Sequence, residues 1–216
     1  MDEQRRGRLI ALEGIDGVGT TTQAHLLCER LAAAGHRVHR TYEPSGGPIG
    51  TLLRQVLTGR LRRGGTDANE RVGPEVVAAL FAADRLDHLE SEILPRLEEG
   101  VHVITDRYVL SSLAYQGVDC ELTWVKAINA RALPADLTLL LEISADEALK
   151  RRADRHGPDE RFDALELQRR IAAAYAERAD DPDYTSPVVR IDANPSVEQV
   201  AEEIWQAIAP LLTADS

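Results

Sequence analysis

The run Leu9-Ile10-Ala11-Leu12-Glu13-Gly14-Ile15-Asp16-Gly17-Val18-Gly19-Thr20-Thr21-Thr22 decides how the rest of the chain is read. An apolar stretch gives way to three closely spaced glycines and then to a row of hydroxyls. Beyond them Ala24, Leu27, Cys28 and Leu31 recur at helical spacing until Gly35, which suits a helix C-terminal cap. Strand, glycine loop and helix in this order fit the phosphate-binding pattern Gly-x-x-x-x-Gly-Lys-[Ser/Thr] everywhere except at Thr20, which stands where the lysine belongs. Gly14, Gly17 and Gly19 let the backbone take positive φ and curl its N–H groups round a phosphate, while the next helix points its positive end at the same place. Ile15, Val18 and Thr22 complete the loop, and Thr21 occupies the hydroxyl position suited to Mg²⁺. A glycine turn without ligand is the simpler reading, but spacing, strand, helix and hydroxyl all favour phosphate. Asp16 adds a direction. A carboxylate in such a loop repels its own ligand unless it faces a metal or a hydroxyl of a second substrate, or is bonded within the turn.

Working outward, strand-like runs fall at 9–12, 38–42, 101–105, 137–143 and 188–191. Helical patterns lie between and beyond them at 48–58, at 74–98 with a bend expected at Pro95, and at 109–115, 124–132, 145–154, 161–179 and 197–212. Strands alternating with helices imply crossover connections, hence an α/β fold with a five-stranded parallel sheet flanked by helices in three layers. One domain over 1–216 accounts for the whole pattern. The stretches 59–73 and 155–160 read as loops.

With 36 acidic against 25 basic residues the formal net charge is −11, which excludes binding of nucleic acid or anionic membrane by bulk field. Any phosphate must be gripped locally. The basic residues are themselves lopsided, since Lys126 and Lys150 are the two lysines and the other 23 are arginines. No apolar run approaches the ~18 residues of a membrane span, and Cys28 and Cys120 are too few for a disulfide framework. A reduced, cytoplasmic setting is expected.

A second constellation follows the third strand, where Asp106-Arg107-Tyr108 precedes Ser111-Ser112-Leu113-Ala114-Tyr115-Gln116-Gly117. In open α/β sheets ligands collect beyond the carboxyl ends of strands. If this strand neighbours the first, Asp106 can order Mg²⁺ through water and Arg107 can fork an acceptor phosphate. An ordinary Asp–Arg surface pair is the plainer alternative. In the long third helix Phe81 extends the apolar face of Val77 and Leu80, which reads as core, yet Arg85 lies one turn on and a ring beside an arginine also suits base stacking. The arginine-rich segment 150–161, broken by Gly157-Pro158, reads either as a solvated charged loop or as a lid that delivers positive charge.

Together these residues resemble the thymidylate kinase family of nucleoside monophosphate kinases. The resemblance rests on residues 13–17 with Gly19 and Thr21-Thr22-Gln23, then Glu43-Pro44, Phe81-Ala82-Ala83-Asp84-Arg85, Asp106-Arg107-Tyr108, Ala114-Tyr115-Gln116-Gly117, residues 134–141, and Arg161-Phe162-Asp163. It implies a P-loop kinase fold and transfer of the γ-phosphoryl of ATP to dTMP with Mg²⁺, giving dTDP and ADP. The implied catalytic set is Asp16, Arg107, Arg155 and Arg161, with Arg151 and Arg152 in reserve in the lid. Residues Gly14 to Thr22 would hold ATP, and Thr21 and Asp106 the metal. On the acceptor side Phe81 would stack on thymine, Arg85 bind near the base, Arg107 take the phosphate and Asp16 meet the 3′-hydroxyl. Tyr115 would crowd the 2′ position, with Ser112 and Gln116 near the base and Glu43 and Pro44 lining the site. A homodimer built on helices is also implied.

Thr20 departs from this pattern. A charge-assisted hydrogen bond is worth roughly 1.5–3 kcal/mol, a loss that lid arginines or Lys150 would have to offset. A nucleotide-binding protein with weakened catalysis, motivated by Thr20, therefore stands beside an active dTMP kinase, and a kinase of the same fold acting on another nucleotide or a deoxynucleoside is a further reading.

Overall fold

The computed structural model describes residues 6–61, 72–156 and 161–213, without the side chains of 152–156, 161–164 and 213. Its organising element is β1 (Leu9–Glu13), buried at all five positions. Four more strands run parallel to it, β2 (Val38–Tyr42), β3 (His102–Asp106), β4 (Leu137–Glu142) and β5 (Val188–Asp192), in the order β2-β3-β1-β4-β5. The sequence accounts for this order. The central strands β1 and β4 are apolar almost throughout because both of their faces are covered, whereas the edge strands β2 and β5 carry His39, Arg40 and Arg190.

Helices cover both faces. They are α1 (Thr20–Ala33), α2 (Pro48–Leu57), α3 (Pro74–His88), α4 (Leu94–Glu98), α5 (Val109–Asp119), α6 (Leu122–Asn129), α7 (Ala145–His156), α8 (Arg161–Ala179) and α9 (Val197–Thr213). Alternation along β1 splits the core in two. Ile10 and Leu12 pack with Leu27 and Leu31 of α1, Ile171 of α8 and Ile204 of α9. Leu9 and Ala11 pack on the opposite face with Leu89, Ile93, Leu97 and Tyr108. Three layers result, as the strand and helix pattern implies.

The long helix expected over 74–98 differs in one respect. It is interrupted before Pro95 by a π turn, Leu89–Ile93, in which the Leu94 N–H bonds the Leu89 carbonyl. A proline ring clashes with the carbonyl four residues earlier, and widening the preceding turn relieves this. Pro95 then sits in the first turn of α4, where its missing N–H costs nothing. Helix α6 starts two residues earlier than its apolar pattern suggests, because the Glu121 carboxylate accepts from the Thr123 and Trp124 N–H groups at 2.9 and 2.8 Å and caps it. Among the described residues no helix is long and apolar enough to cross a membrane.

Register positions the site. Leu12 of β1 lies opposite Asp106 of β3, and Asp106 lies opposite Tyr42 of β2. The segments that follow these three strands, 14–19, 107–108 and 43–45, therefore emerge side by side at one edge of the sheet.

Candidate active site

The phosphate loop turns sharply at Gly14, whose φ is +150° and where an added Cβ would come within 2.6 Å of the Leu141 carbonyl. Only glycine fits there, because the loop lies directly on the end of β4. Gly19, at φ +109°, caps the start of α1, and a Cβ there would meet nothing within 4 Å. The first-turn N–H groups of α1, which have no partner within a helix, start beside this open position, an arrangement suited to an anion. Thr20 opens α1 with its residue 6% exposed, whereas Thr21 and Thr22 are exposed.

Thr21 and Asp106 come together across the β1–β3 junction. The Thr21 hydroxyl donates to Asp106 Oδ2 at 2.5 Å, while Asp106 Oδ1 is buried with no hydrogen-bond partner. A hydroxyl and a carboxylate with a spare oxygen are hard donors, and they fit Mg²⁺ held mainly by nucleotide phosphates and water.

Asp16 is bonded outside its own turn. Its Oδ1 accepts from Arg107 NH2 at 2.7 Å, which ties the phosphate loop to the residue after β3. Arg107 does not pair with its neighbour Asp106. Its other terminal nitrogen donates to the Gly14 carbonyl at 3.1 Å, Tyr175 Oη at 3.2 Å and Ser111 Oγ at 3.3 Å, and the guanidinium lies over the Tyr115 ring, 5.1 Å from its centroid. Burial opposes the charge on Arg107, but Tyr175, Tyr115, Asp16 and Glu13 outweigh that and hold its pKa well above the ordinary value. The backbone is strained to match, because Arg107 is the non-glycine residue with positive φ, +73°, among the described residues. Such a conformation costs on the order of 1–3 kcal/mol and persists where its surroundings over-determine it. Here the Arg107 N–H bonds the Leu12 carbonyl at 2.9 Å and the Thr105 hydroxyl donates to the Arg107 carbonyl at 2.8 Å.

A cleft of about 290 Å³ opens from this pair. Asp16, Glu43, Pro44, Phe81, Arg107, Tyr115 and Gln116 all border it, together with Ser111, which the acceptor constellation contains without an assigned role, and Leu57, which carries no signal of a site in the sequence. Phe81 is half-buried, so its ring serves as wall and not as core.

Arg85 and Ser112 lie behind that wall. The Arg85 residue is only 1% exposed and its donors are taken up within the protein. It reaches Glu43 Oε2 from NH2 at 2.6 Å and from Nε at 3.0 Å, Ser112 Oγ at 3.1 Å, the Tyr108 carbonyl at 2.9 Å and Asn129 Oδ1. Its neighbour Asp84 accepts from the Ser45 N–H at 2.7 Å and from the Ser45 hydroxyl at 2.6 Å. Consecutive residues of α3 thus clasp the loop after β2 at both ends of Pro44, one turn below Phe81. An expectation of Arg85 beside a base meets a guanidinium spent on bracing the wall.

Glu13, fully buried, anchors the far side. It accepts from the Tyr108 N–H at 2.8 Å, the Ser111 N–H at 3.1 Å, the Ser111 hydroxyl at 2.5 Å and the Tyr175 hydroxyl at 3.1 Å. Burial pushes its pKa up, against the pull of the Ser111 bonds, Arg107 and the Tyr108 bond.

A second cleft, about 440 Å³, opens on the other side of the phosphate loop between Gly17, Gly19, Thr22, Arg151, Pro195 and Val197. The Gln23 amide donates to the Val197 carbonyl at 3.0 Å and fixes α1 against this segment. Residues 193–197 are not among the site residues expected from the sequence. Their signal was the Asp192-Ala193-Asn194-Pro195-Ser196 turn at the carboxyl end of β5, where ligands of such sheets collect. The chain is helical at Arg152, Arg155 and Arg161, but their side chains, and residues 157–160, lie outside the described residues.

Comparison with known proteins agrees with this geometry. The family model described as thymidylate kinase matches residues 12–204. A probable thymidylate kinase of Pyrococcus abyssi is 40% identical over 200 residues, covering 92% of this chain and 94% of that protein. One of Pyrobaculum calidifontis is 42% identical over 196 residues (90% and 92%), and a thymidylate kinase of Halothermothrix orenii is 35% identical over 213 (94% and 97%). With its parallel five-stranded sheet, its phosphate loop and a match that runs nearly end to end, this chain belongs to the thymidylate kinase family.

Proposed function

We propose that the protein transfers the γ-phosphoryl group of ATP to dTMP, giving ADP and dTDP. The observation that carries this reading is the pair of clefts meeting at one phosphate loop, one holding a braced arginine, a carboxylate and an aromatic wall. ATP takes the second cleft and threads its phosphates over residues 14–22 to the α1 N-terminus. dTMP takes the first, its base against Phe81, with Tyr115 and Gln116 alongside and its phosphate on Arg107. A phosphate oxygen of dTMP forms the new P–O bond while the bond to the β-phosphate breaks towards ADP. That oxygen is already ionised, so no general base is required, and catalysis is positioning plus charge stabilisation. Asp16 then orients the 3′-hydroxyl and does not remove a proton. Thr21 and Asp106 are the residues that would hold Mg²⁺, and the ion, when bound, would supply positive charge to the ATP phosphates.

Positive charge for the transferred group comes from the segment at 150–161, which acts as a lid on a single domain. Arg151, which borders the ATP cleft, supports this, and Arg155 and Arg161 are its proposed catalytic members. They also offset the missing loop lysine. Lys150 is a weaker source, being 74% exposed and 3.2 Å from Glu147. The exposed Leu52 and Val76 of α2 and α3 support pairing of two copies. The net charge of −11 supports nucleotides and not nucleic acid as partners, and the free Cys28 and Cys120 accord with a cytoplasmic setting.

A coupled ADP-release assay with ATP, Mg²⁺ and a panel of nucleoside monophosphates tests the reading. Turnover with dTMP well above that with dCMP, dGMP or AMP is expected. Equal turnover across the panel, or none, would overturn it.

A further inference from the structure

Tyr175 has no place in the reading given so far, yet its hydroxyl sits at the centre of the polar cluster behind Arg107. The residue is 2% exposed and is carried by α8, far along the chain from the loop and from β3. Its oxygen lies 3.2 Å from Arg107 NH1, 2.7 Å from Ser111 Oγ and 3.1 Å from Glu13 Oε2. Its ring meets Tyr115 edge-on, 6.0 Å between centroids and 87° between planes, and Tyr115 in turn lies against the Arg107 guanidinium. Tyr175 therefore touches Arg107 directly through its hydroxyl and indirectly through a ring.

The chemistry of the contact is specific. Arg107 carries donors alone, so Tyr175 Oη must accept from it, and the phenolic hydrogen is then free for Ser111 or Glu13. A cation is linked through two hydroxyls to a buried carboxylate. Arg107 needs such support because its backbone is strained and its NH2 edge is engaged with Asp16, on the side of the acceptor cleft. With NH1 held from behind, the guanidinium plane is fixed before any ligand arrives. A preorganised fork binds a phosphate without first losing its rotamer freedom.

We infer that Tyr175 is a positioning residue for acceptor binding: its hydroxyl holds Arg107 in the orientation that receives the acceptor phosphate. This rests on the reading of Arg107 as the phosphate ligand. It predicts an effect confined to the phosphate and transmitted solely through Arg107, whereas a merely structural tyrosine would weaken every ligand of the cleft alike.

The test is a double-mutant cycle read by calorimetry, with dTMP and thymidine titrated into wild type, Tyr175→Phe, Arg107→Ala and the double variant, each checked by thermal melting. Tyr175→Phe keeps the ring and is expected to weaken dTMP about tenfold, leave thymidine unchanged, and have no further effect once Arg107 is alanine. Equal loss for dTMP and thymidine, the same loss in both backgrounds, or no loss would overturn the inference. If wild type prefers dTMP to thymidine and Tyr175→Phe keeps that preference, the inference alone fails. If wild type has no such preference, the phosphate role of Arg107 fails and takes the inference with it. Should Tyr175→Phe not fold, Tyr175→Leu, which also removes the hydroxyl, replaces it in the same cycle with the same expected and contrary results.

Discussion

Arg107, on the acceptor side of the phosphate loop, is held by Gly14, Asp16, Ser111 and Tyr175 with a ring beneath it, whereas Arg151, on the ATP side, lies 3.8 Å from Glu147 at the edge of a wider cleft. The acceptor wall is braced from behind as well, by Arg85 on Glu43 and Asp84 on Ser45. The ATP side is made of glycine backbone, a helix end and a proline turn. The contrast teaches where selectivity is stored. A rigid cleft with few alternatives discriminates among acceptors, while backbone N–H groups accept any nucleotide phosphate chain.

Removing the fixed cation should break this asymmetry most severely. Arg107→Ala forfeits two charge-assisted bonds of roughly 1.5–3 kcal/mol each, so kcat/KM for dTMP should fall on the order of 10²–10⁴. ATP affinity measured by calorimetry should stay near wild type. Comparable loss of both would mean that the two clefts are not independent.

The brace should fail differently. Arg85→Ala leaves Glu43 buried with only the His88 ring, 3.5 Å from its other oxygen, beside it, and breaking such a pair costs about 3–5 kcal/mol, to be read as a lower urea midpoint together with a raised KM for dTMP. Arg85→Lys should recover little of it, since an ammonium cannot reproduce the fork to Glu43, Ser112 and the Tyr108 carbonyl. A stable Arg85→Ala protein with weakened thymidine binding would instead make Arg85 a direct base contact.

Phe81→Ala should have a smaller and more local effect. Loss of a stacking ring is worth about 1–3 kcal/mol per base, and affinity should fall alike for dTMP and thymidine. That pattern is the opposite of the one expected at Arg107. An unchanged affinity for both would return Phe81 to the packing role that its helical periodicity suggests.

The smallest effect is a slope in pH. Burial raises the Glu13 pKa above its ordinary 4.5, so the folded protein holds that proton more tightly than the unfolded chain does. Stability from this group is full below the unfolded value and is lost as pH rises through the folded value. Glu13→Gln should flatten the dependence of melting temperature over the range just above 4.5, whatever it does to the absolute value. An unaltered slope would mean that the donors around Glu13 keep it ionised throughout.

What the sequence made legible was whatever its local pattern encodes. The strand, glycine loop and helix of residues 9–31 could be read because each step follows from neighbours in the chain, and Asp106 and Arg107 because they end an apolar run. Strand order turned those two facts into one site. Arg85 illustrates the limit. Its helical position puts it near Phe81, but whether it meets a ligand or Glu43 depends on how the loop after β2 folds back. Tyr175 carried no signal, since a tyrosine in a helix of alanines and charges becomes significant only once α8 is laid against α5. The π turn escaped for a similar reason, because Pro95 announces a disturbance without saying on which side it is absorbed.

Thr20 stands where the reaction would otherwise be served by a lysine, and transfer of label from γ-³²P-ATP to dTMP, run beside Thr20→Lys, measures whether the phosphoryl group moves without it. Labelled dTDP should form in step with ADP in the unaltered protein, with at most a modest gain from the lysine if arginines supply the charge. Binding of both nucleotides without labelled dTDP, with transfer appearing only in Thr20→Lys, would contradict the proposed function.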